Sequence, residues 1–324
     1  MTASFQAAHR GFVHTAAFYH SEQEYLDLVA TFLAEGLSNG ESAWVALPTH
    51  KIGPVRDALT VATTGAAAAD VAWADITELG RNPARLLAAE LAFVERQGHR
   101  RVRLLAEPVW PGRSTVEYPG CLLHEALSNI AFDGCDVLGL CPYDASRLAD
   151  GVLADARVAH PFLGHGGSQR RSPEYSIHAA LDRGNEPLAT SPVAVTYTVY
   201  EPADLSGARQ HSSRYGRLLG MSADRIADLQ LIVTELATNG LQHGGGTSRL
   251  ALWEEDGHLI CEARDTGFMA DPLAGCRPPA KDKPSASGLF VVNALADLVR
   301  IHTTPTGTTI QAYLRLEHFS GGGI

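Results

Sequence analysis

TELATNGLQHGGG, residues Thr234–Gly246, reads as the end of a helix that carries chemistry on one side. Glu235 and Asn239 are four residues apart, so they project from the same face, one turn above the other. An amide oxygen suits Mg²⁺, a hard cation that takes oxygen ligands and keeps waters for the rest. A carboxylate one turn away can take the proton of a hydroxyl attacking a γ-phosphate. Gly244, Gly245 and Gly246 then end the helix, where residues without Cβ tolerate a left-handed turn. The spacing alone decides little, because Glu125 and Asn129 in HEALSN repeat it, and there it reads as a solvated helix face. The sequel separates the two copies. Beyond Glu235 a strand ends in Asp265, Thr266 and Gly267, and after a loop Gly288 and Leu289 open another helix.

Working outward, Asp265 at a strand end can accept a hydrogen bond from an exocyclic amine such as that of adenine, and Gly267 lets backbone approach a ring closely. Taken alone, this stretch is an ordinary turn signal. The loop 268–287 contains Pro272, Gly275, Pro278, Pro279, Lys281, Lys283 and Pro284. It reads either as a flap over a triphosphate, with the lysines on the γ-phosphate, or as a plain exposed loop. A helix opening at Gly288 points free N–H groups at an anion. Gly307, Thr308 and Thr309 enter the last strand as a turn or as a wall of the site. Apolar periodicity predicts a strand in VAVTYTVY and helices over 204–219 and 224–243. It predicts strands over 248–254 and 259–265 joined by a tight turn, a helix over 288–295, and strands over 298–303 and 308–316. Helices on one face of a mixed sheet make an α/β sandwich.

The first half alternates short apolar runs (FVHTAAF, SAWVALP, DVAWADI, RVRLLAE, DVLGLCPYD) with amphipathic stretches. Strand then helix, repeated about five times, implies a parallel sheet covered on its faces. Ligands in such folds sit at the carboxyl ends of the strands, here 19–21, 48–50, 107–110 and 141–144. Trp44, Trp73 and Trp110 read as core or pocket-wall aromatics, and Arg100, Arg101 and Arg103 as the solvated start of a strand. The stretch 166–191 is rich in Gly, Ser, Pro and charge and reads as a linker with room for one short helical turn. The expected division is 1–165, linker 166–191, and 192–324.

A length of 324 residues suits two cores rather than one. The net charge of −10 argues against nucleic acid as a direct partner, since phosphate binding relies on Lys and Arg. Five cysteines with no CxxC pair argue against a disulfide framework and for a reducing cytoplasm. No apolar run has the ~20 residues of a membrane span, and the N-terminus has no signal-peptide core.

TELATNGLQHG, ARDTGF, SGLFVVNALAD and TGTTI, in that order, resemble the N box, the two glycine boxes and the closing glycine-threonine element of the GHKL ATPases. The closest resemblance is to the anti-sigma-factor serine/threonine kinase branch. It implies a Bergerat-type α/β sandwich binding ATP and Mg²⁺, with Glu235 as catalytic base, Asn239 as Mg²⁺ ligand, and Asp265 with Gly267 at the adenine. His243, Lys283, Gly288, Leu289 and Thr308 join them as nucleotide contacts. It also implies a sigma factor and an antagonist protein as partners, and a homodimer as a family expectation. The second glycine box departs from GxGL, since Ala286 and Ser287 precede Gly288, which makes ATP binding a safer expectation than turnover. HTAAFYHSEQEYLDLVATFLAEGLSNGESAWVALP with LCPYDASRLADGVLADARVAHPF resembles the MEDS sensory domain, which is similar in fold to RecA-like ATPases. The first strand-to-helix turn, FYHSEQEY, has no GxxxxGK[ST], so the phosphate cradle of a P-loop is missing. His14, Tyr19, Cys141, Tyr143 and His160 are the sensory candidates for a small-molecule ligand, with a metal or thiol switch at Cys141 and His160 weighed against a plain buried cysteine. Two alternatives stand beside the kinase: an atypical sensor histidine kinase, and a non-catalytic sensor with a degenerate ATP site.

Overall fold

The computed structural model describes residues 11–63, 71–165, 168–277 and 288–316. They form two compact units, 1–184 and 185–324.

In the first unit the chain runs β1 (Val13–Tyr19), α1 (Glu22–Ser38), β2 (Ser42–Leu47), α2 (Thr49–Ala62), β3 (Val71–Asp75), α3 (Ile76–Leu79) and α4 (Pro83–Gln97). It continues through β4 (Val102–Ala106), α5 (Tyr118–Ala131), β5 (Val137–Asp144), α6 (Asp150–Ala159), β6 (Phe162–His165), β7 (Ser168–Arg171) and α7 (Ile177–Gly184). The strands order as β3-β2-β4-β5-β1-β6-β7, every pair parallel except the antiparallel β6–β7. This is the expected parallel sheet. Its central strands β1, β2, β4 and β5 are buried, mostly apolar runs because both faces are covered. The period of two along β1 and β5 sorts their side chains. Val13, Ala17, Tyr19, Leu138 and Leu140 join the core with Tyr25, Val29, Phe32 and Leu33 of α1. His14, Ala16, Cys141 and Tyr143 face the other way.

Two readings of the sequence are corrected in this unit. Arg103 is not solvated: it is 1% exposed, between an ion pair to Glu41 (2.5 Å) and the Phe32 ring. β4 lies between β2 and β5, so the α1-facing side of that strand has no solvent to reach. The stretch 166–191, read as a linker, is folded over much of its length. It contains β7 and α7, and α7 packs on α5 and α6 because Gly184 and Ala180 present small buried surfaces there.

The second unit runs β8 (Val195–Val199), a 3-10 turn at Pro202–Asp204, α8 (Leu205–Leu218), α9 (Ala223–His243), β9 (Ser248–Glu255), β10 (His258–Asp265), α10 (Gly288–Leu295), β11 (Leu298–Thr304) and β12 (Gly307–Arg315). The strands order as β11-β12-β10-β9-β8. All four pairings are antiparallel, so the sheet is not the mixed one expected. The reason is local: β9–β10 and β11–β12 are each hairpins, and the two dock side by side through β10 and β12. The β9–β10 loop is Asp256–Gly257, both with positive φ (49° and 73°), the backbone a two-residue hairpin demands. Leu259, Cys261 and Ala263 of β10 and Ile310, Ala312 and Leu314 of β12 face Leu229, Ile232, Val233 and Leu236 of α9 in one core. On the opposite face, residues 185–190 lie across the sheet. Thr190 Oγ1 donates to Glu262 (2.5 Å), Gln311 to the Ala189 carbonyl (3.0 Å), Arg264 to the Leu188 carbonyl (3.1 Å), and Asn185 exchanges two bonds with Thr303.

Candidate functional site

Helix α9 is held by its N-cap, Ser222, whose Oγ accepts the Arg225 N–H, and by the apolar stripe Leu229, Ile232, Val233, Leu236 and Ala237. That stripe fixes the rotation of the helix and leaves Glu235 and Asn239 half-buried on its flank. Both point at the start of α10. A Cβ built on Gly288 would lie 2.7 Å from Glu235 Oε2 and 3.2 Å from Asn239 Oδ1, so a side chain there would have to displace the very groups that face the helix start. Among the described residues neither side chain has a hydrogen-bond or ion-pair partner. Two uncommitted polar groups thus border the N–H end of a helix, where an anion is favoured.

At the far end of α9, Gly244 abuts the Asp265 side chain so closely that no Cβ fits there. It lies five positions beyond Asn239, about 7.5 Å along the helix at 1.5 Å per residue. Asp265 Oδ1 takes the Gly267 N–H (2.8 Å), leaving Oδ2 without a partner among the described residues. Burial raises the Asp265 carboxyl above the ordinary aspartate range, with the Gly267 N–H and His243 opposing. The turn is braced from below: Thr266 Oγ1 donates to the Gly244 carbonyl (3.0 Å), and Thr308 Oγ1 to the Gly267 carbonyl (2.8 Å) while sharing a bond with Thr303 (2.8 Å).

Glu235, Asn239, Asp265, Gly267 and Gly288 therefore come together around α9. Thr308, 5% exposed, spends its hydroxyl on the turn and acts there as a positioning group. Leu289, 7% exposed, belongs to the core, so only its backbone can serve the site. His243 is exposed in the last turn of α9, close enough to act electrostatically on the Asp265 carboxyl. Lys283, with Lys281, Ala286 and Ser287, lies outside the described residues. Thr303 had no signal in the sequence, since it acts through a neighbour set by register, and Thr266 was legible only as part of the turn that ends the strand.

The sensory candidates divide into two groups. Tyr19, at the carboxyl end of β1, donates to Glu107 Oε1 (3.2 Å) and accepts from Lys51 Nζ (2.8 Å), which also pairs with Glu107 (2.5 Å). This places a Lys51–Glu107 ion pair and a tyrosine hydroxyl at the strand ends where ligands of such sheets bind. His14, Cys141, Tyr143 and His160 instead surround Glu125. Glu125 Oε2 lies 3.1 Å from His14 Nε2, 3.2 Å from His160 Nε2 and 3.3 Å from Cys141 Sγ, and Tyr143 donates to Oε1 (3.1 Å). Glu125 is 1% exposed, and Asn129 bonds to His14 (3.2 Å). The solvated helix face expected for Glu125 and Asn129 is thus a correction: α5 turns that face onto the sheet. Burial alone would raise the Glu125 carboxyl, but His160 and His14 outweigh it and hold it well below the usual range. Burial, with His160 beside it, lowers His14 to about 4. A cavity of about 250 Å³ in this unit is lined by Phe18, His20, Arg157, Leu163 and Arg170, and by none of the five candidates.

Residues 13–161 match the MEDS family, described as the MEthanogen/methylotroph, DcmR Sensory domain, and residues 199–314 match the histidine kinase-like ATPase domain. No curated protein matches the chain. Among solved structures, the RsbU and RsbW domains of Rv1364c from Mycobacterium tuberculosis are similar at 16% identity, over 64% of this chain and 49% of that one, with a TM-score of 0.29. The chain thus spans about half the length of that structure. No helix among the described residues is long and apolar enough to cross a membrane.

Proposed function

We propose that this chain, a MEDS sensory domain over residues 13–161 followed by a histidine kinase-like ATPase domain over residues 199–314, is a regulator that phosphorylates a protein antagonist on serine or threonine in an anti-sigma-factor circuit. The first domain would set the activity of the second. The observation that carries this reading is the convergence of Glu235 and Asn239 on Gly288.

The residues fit Mg²⁺-ATP on this chain's own geometry. Asn239 Oδ1 would hold the metal, which would neutralise charge on the phosphates. The open Oδ2 of Asp265 would accept the adenine amine, with Gly267 admitting the ring edge. Glu235 would take the proton of the antagonist's hydroxyl as that oxygen bonds to the γ-phosphorus. The bond to the β,γ-bridging oxygen breaks, and ADP leaves with the electron pair. The histidine-kinase alternative draws less support, because the described residues between the two matched domains hold β7 and the eight-residue α7 rather than a long helical hairpin.

The test is transfer of label from γ-labelled ATP to a candidate antagonist, with Glu235→Ala alongside. General-base loss should lower transfer by roughly 10²–10⁴-fold while ATP binding stays within a fewfold. No transfer by the wild type, or undiminished transfer by the variant, removes the kinase; retained ATP binding without transfer would leave a nucleotide-binding sensor.

A further inference from the structure

We propose that the buried cluster of the first unit is a binding site for a divalent d-block metal ion, Zn²⁺ fitting it best, with His14 Nε2, Glu125 Oε2, Cys141 Sγ and His160 Nε2 as ligands. The four ligand atoms lie within 4.8 Å of one another, and the residues are 2%, 1%, 5% and 0% exposed. They come from three directions: β1 and β5 on the sheet, α5 above it, and the residue that ends α6.

The hydrogen bonds on the outside of the cluster fix the chemistry inside it. His160 Nδ1 lies 2.8 Å from the Ala156 carbonyl, which only accepts, so the neutral ring carries its proton on Nδ1 and presents a lone pair at Nε2. Asn129 Nδ2 donates to the carbonyls of Ala159 (2.9 Å) and Glu125 (3.0 Å), which fixes its amide orientation. Its Oδ1 therefore accepts from His14 Nδ1 (3.2 Å), and His14 too turns the lone pair of Nε2 inward. Two imidazole lone pairs thus face a carboxylate oxygen and a sulfur, with no water-accessible surface to relieve them. His160 Nε2 is 3.2 Å from Glu125 Oε2 and yet has no hydrogen-bond partner. Without a metal, the Cys141 thiol proton donated to Glu125 Oε2 and protons shared with the histidines are what hold these groups together; a metal cation at the same point would replace those protons.

The donor set selects the cation. One sulfur and two imidazole nitrogens disfavour Mg²⁺ and Ca²⁺, which take oxygen, and suit zinc in a closed four-coordinate site. Zinc bonds of about 2.0–2.3 Å set tetrahedral ligand–ligand edges of roughly 3.3–3.8 Å; the edges of 3.1–3.3 Å from Glu125 and His14 are already near that length. Binding releases the Cys141 thiol proton, so thiolate and carboxylate together balance the charge of a dication. Asn129, the Ala156 carbonyl and Tyr143, which donates to the second oxygen of Glu125, are the outer partners that orient metal ligands.

The experiment uses the full chain, stripped with a chelator and reloaded with Zn²⁺ or Co²⁺. About one equivalent of zinc per chain should survive dialysis, and thermal unfolding should shift upward with added Zn²⁺. The Co²⁺ form should show a thiolate-to-cobalt charge-transfer band that Cys141→Ser removes and Cys135→Ser, at a half-buried cysteine outside the cluster, leaves unchanged. Asn129→Ala should weaken Zn²⁺ binding roughly ten- to hundredfold by releasing the His14 tautomer. Circular dichroism certifies the fold of each variant, and Glu125→Gln with at least a tenfold affinity loss replaces Cys141→Ser if that variant does not fold. A folded wild type that keeps less than about a tenth of an equivalent, a band that survives Cys141→Ser, or an affinity untouched by Glu125→Gln would overturn the site; the cluster would then be a proton-sharing pair of histidines around Glu125.

Discussion

At the scale of single residues, the two Glu-x-x-x-Asn pairs carry the sharpest lesson. Helical spacing put Glu235 beside Asn239 and Glu125 beside Asn129 alike, but spacing says nothing of what lies opposite. Gly288 stands opposite the first pair, and His14, Cys141 and His160 opposite the second. The first was legible because Asp265, Gly267 and Gly288 follow it in order. The second was not, because its members sit 16 to 146 residues apart in sequence and meet only where α5 and the end of α6 pack over the paired strands β1 and β5. Asp265 supports a prediction at this scale. If its open Oδ2 takes the adenine amine, Asp265→Asn replaces an ionised acceptor and should cost about 1.5–3 kcal/mol of ATP affinity, roughly ten- to a hundredfold in Kd. The pH dependence has a definite sign. Burial holds this carboxyl above the ordinary aspartate range, so acidification protonates it earlier than an exposed Asp and ATP affinity falls through that raised value. Titrating Kd against pH in both proteins checks it: the ratio of the two should shrink on acidification, and a constant ratio would detach Asp265 from the adenine.

At the scale of elements, periodicity located every strand and long helix of the second unit to within a few residues, while sheet sense escaped it. A period of two marks a strand but not the direction of its neighbour, and the β10–β12 pairing that makes the sheet antiparallel spans the whole of α10. Burial of charge escaped it too. Arg103 lies in the run Arg100, Arg101, Arg103, and only a strand with neighbours on both sides sends the third arginine into the core. Helix α9 is the element on which the candidate nucleotide site depends, and its seat on the sheet is set by Gly240. A Cβ there would lie 2.5 Å from the Ser248 Cβ and 3.2 Å from its Cα, part of which is backbone that cannot swing away. Gly240→Ala gains about 1 kcal/mol of helix propensity against an overpacking cost of about 1–3 kcal/mol. The second term acts on a fully buried contact, so the variant should lower the urea midpoint at an unchanged slope. By lifting the Asn239 turn from β9 it should also weaken ATP binding; an unchanged midpoint would mean that α9 can slide on the sheet at little cost.

At the scale of the whole molecule, composition and the change from strand-helix alternation to hairpins made two domains legible, and the linker was read from its Gly, Pro and charge. That composition does mark an absence of long elements, but it does not mark an absence of packing. Residues 185–190 have no periodicity because their contribution is polar and irregular: Thr190 and Gln311 both donate to Glu262, which is 1% exposed, and Leu188 is 7% exposed. The proposed boundary of the ATPase unit is therefore Asn185 rather than residue 192. A fragment 192–324 loses the Thr190 bond to Glu262, the Ala189 carbonyl that Gln311 reaches, and the cover of Leu188. Gln311 would still hold one oxygen of Glu262, but the other would face solvent across an uncovered sheet. Each lost bond to a charged group is worth about 1.5–3 kcal/mol if buried and less once water replaces it. Burying Leu188 contributes about 1.5–3 kcal/mol more. A fragment 185–324 should accordingly unfold at a denaturant midpoint clearly above that of 192–324. Both should bind ATP with similar affinity when folded, since Glu235, Asn239, Asp265 and Gly288 lie on the opposite face from the strap. Equal midpoints would return residues 185–191 to the role of a tether, and an affinity that falls along with the midpoint would show that the strap reaches the site through the sheet.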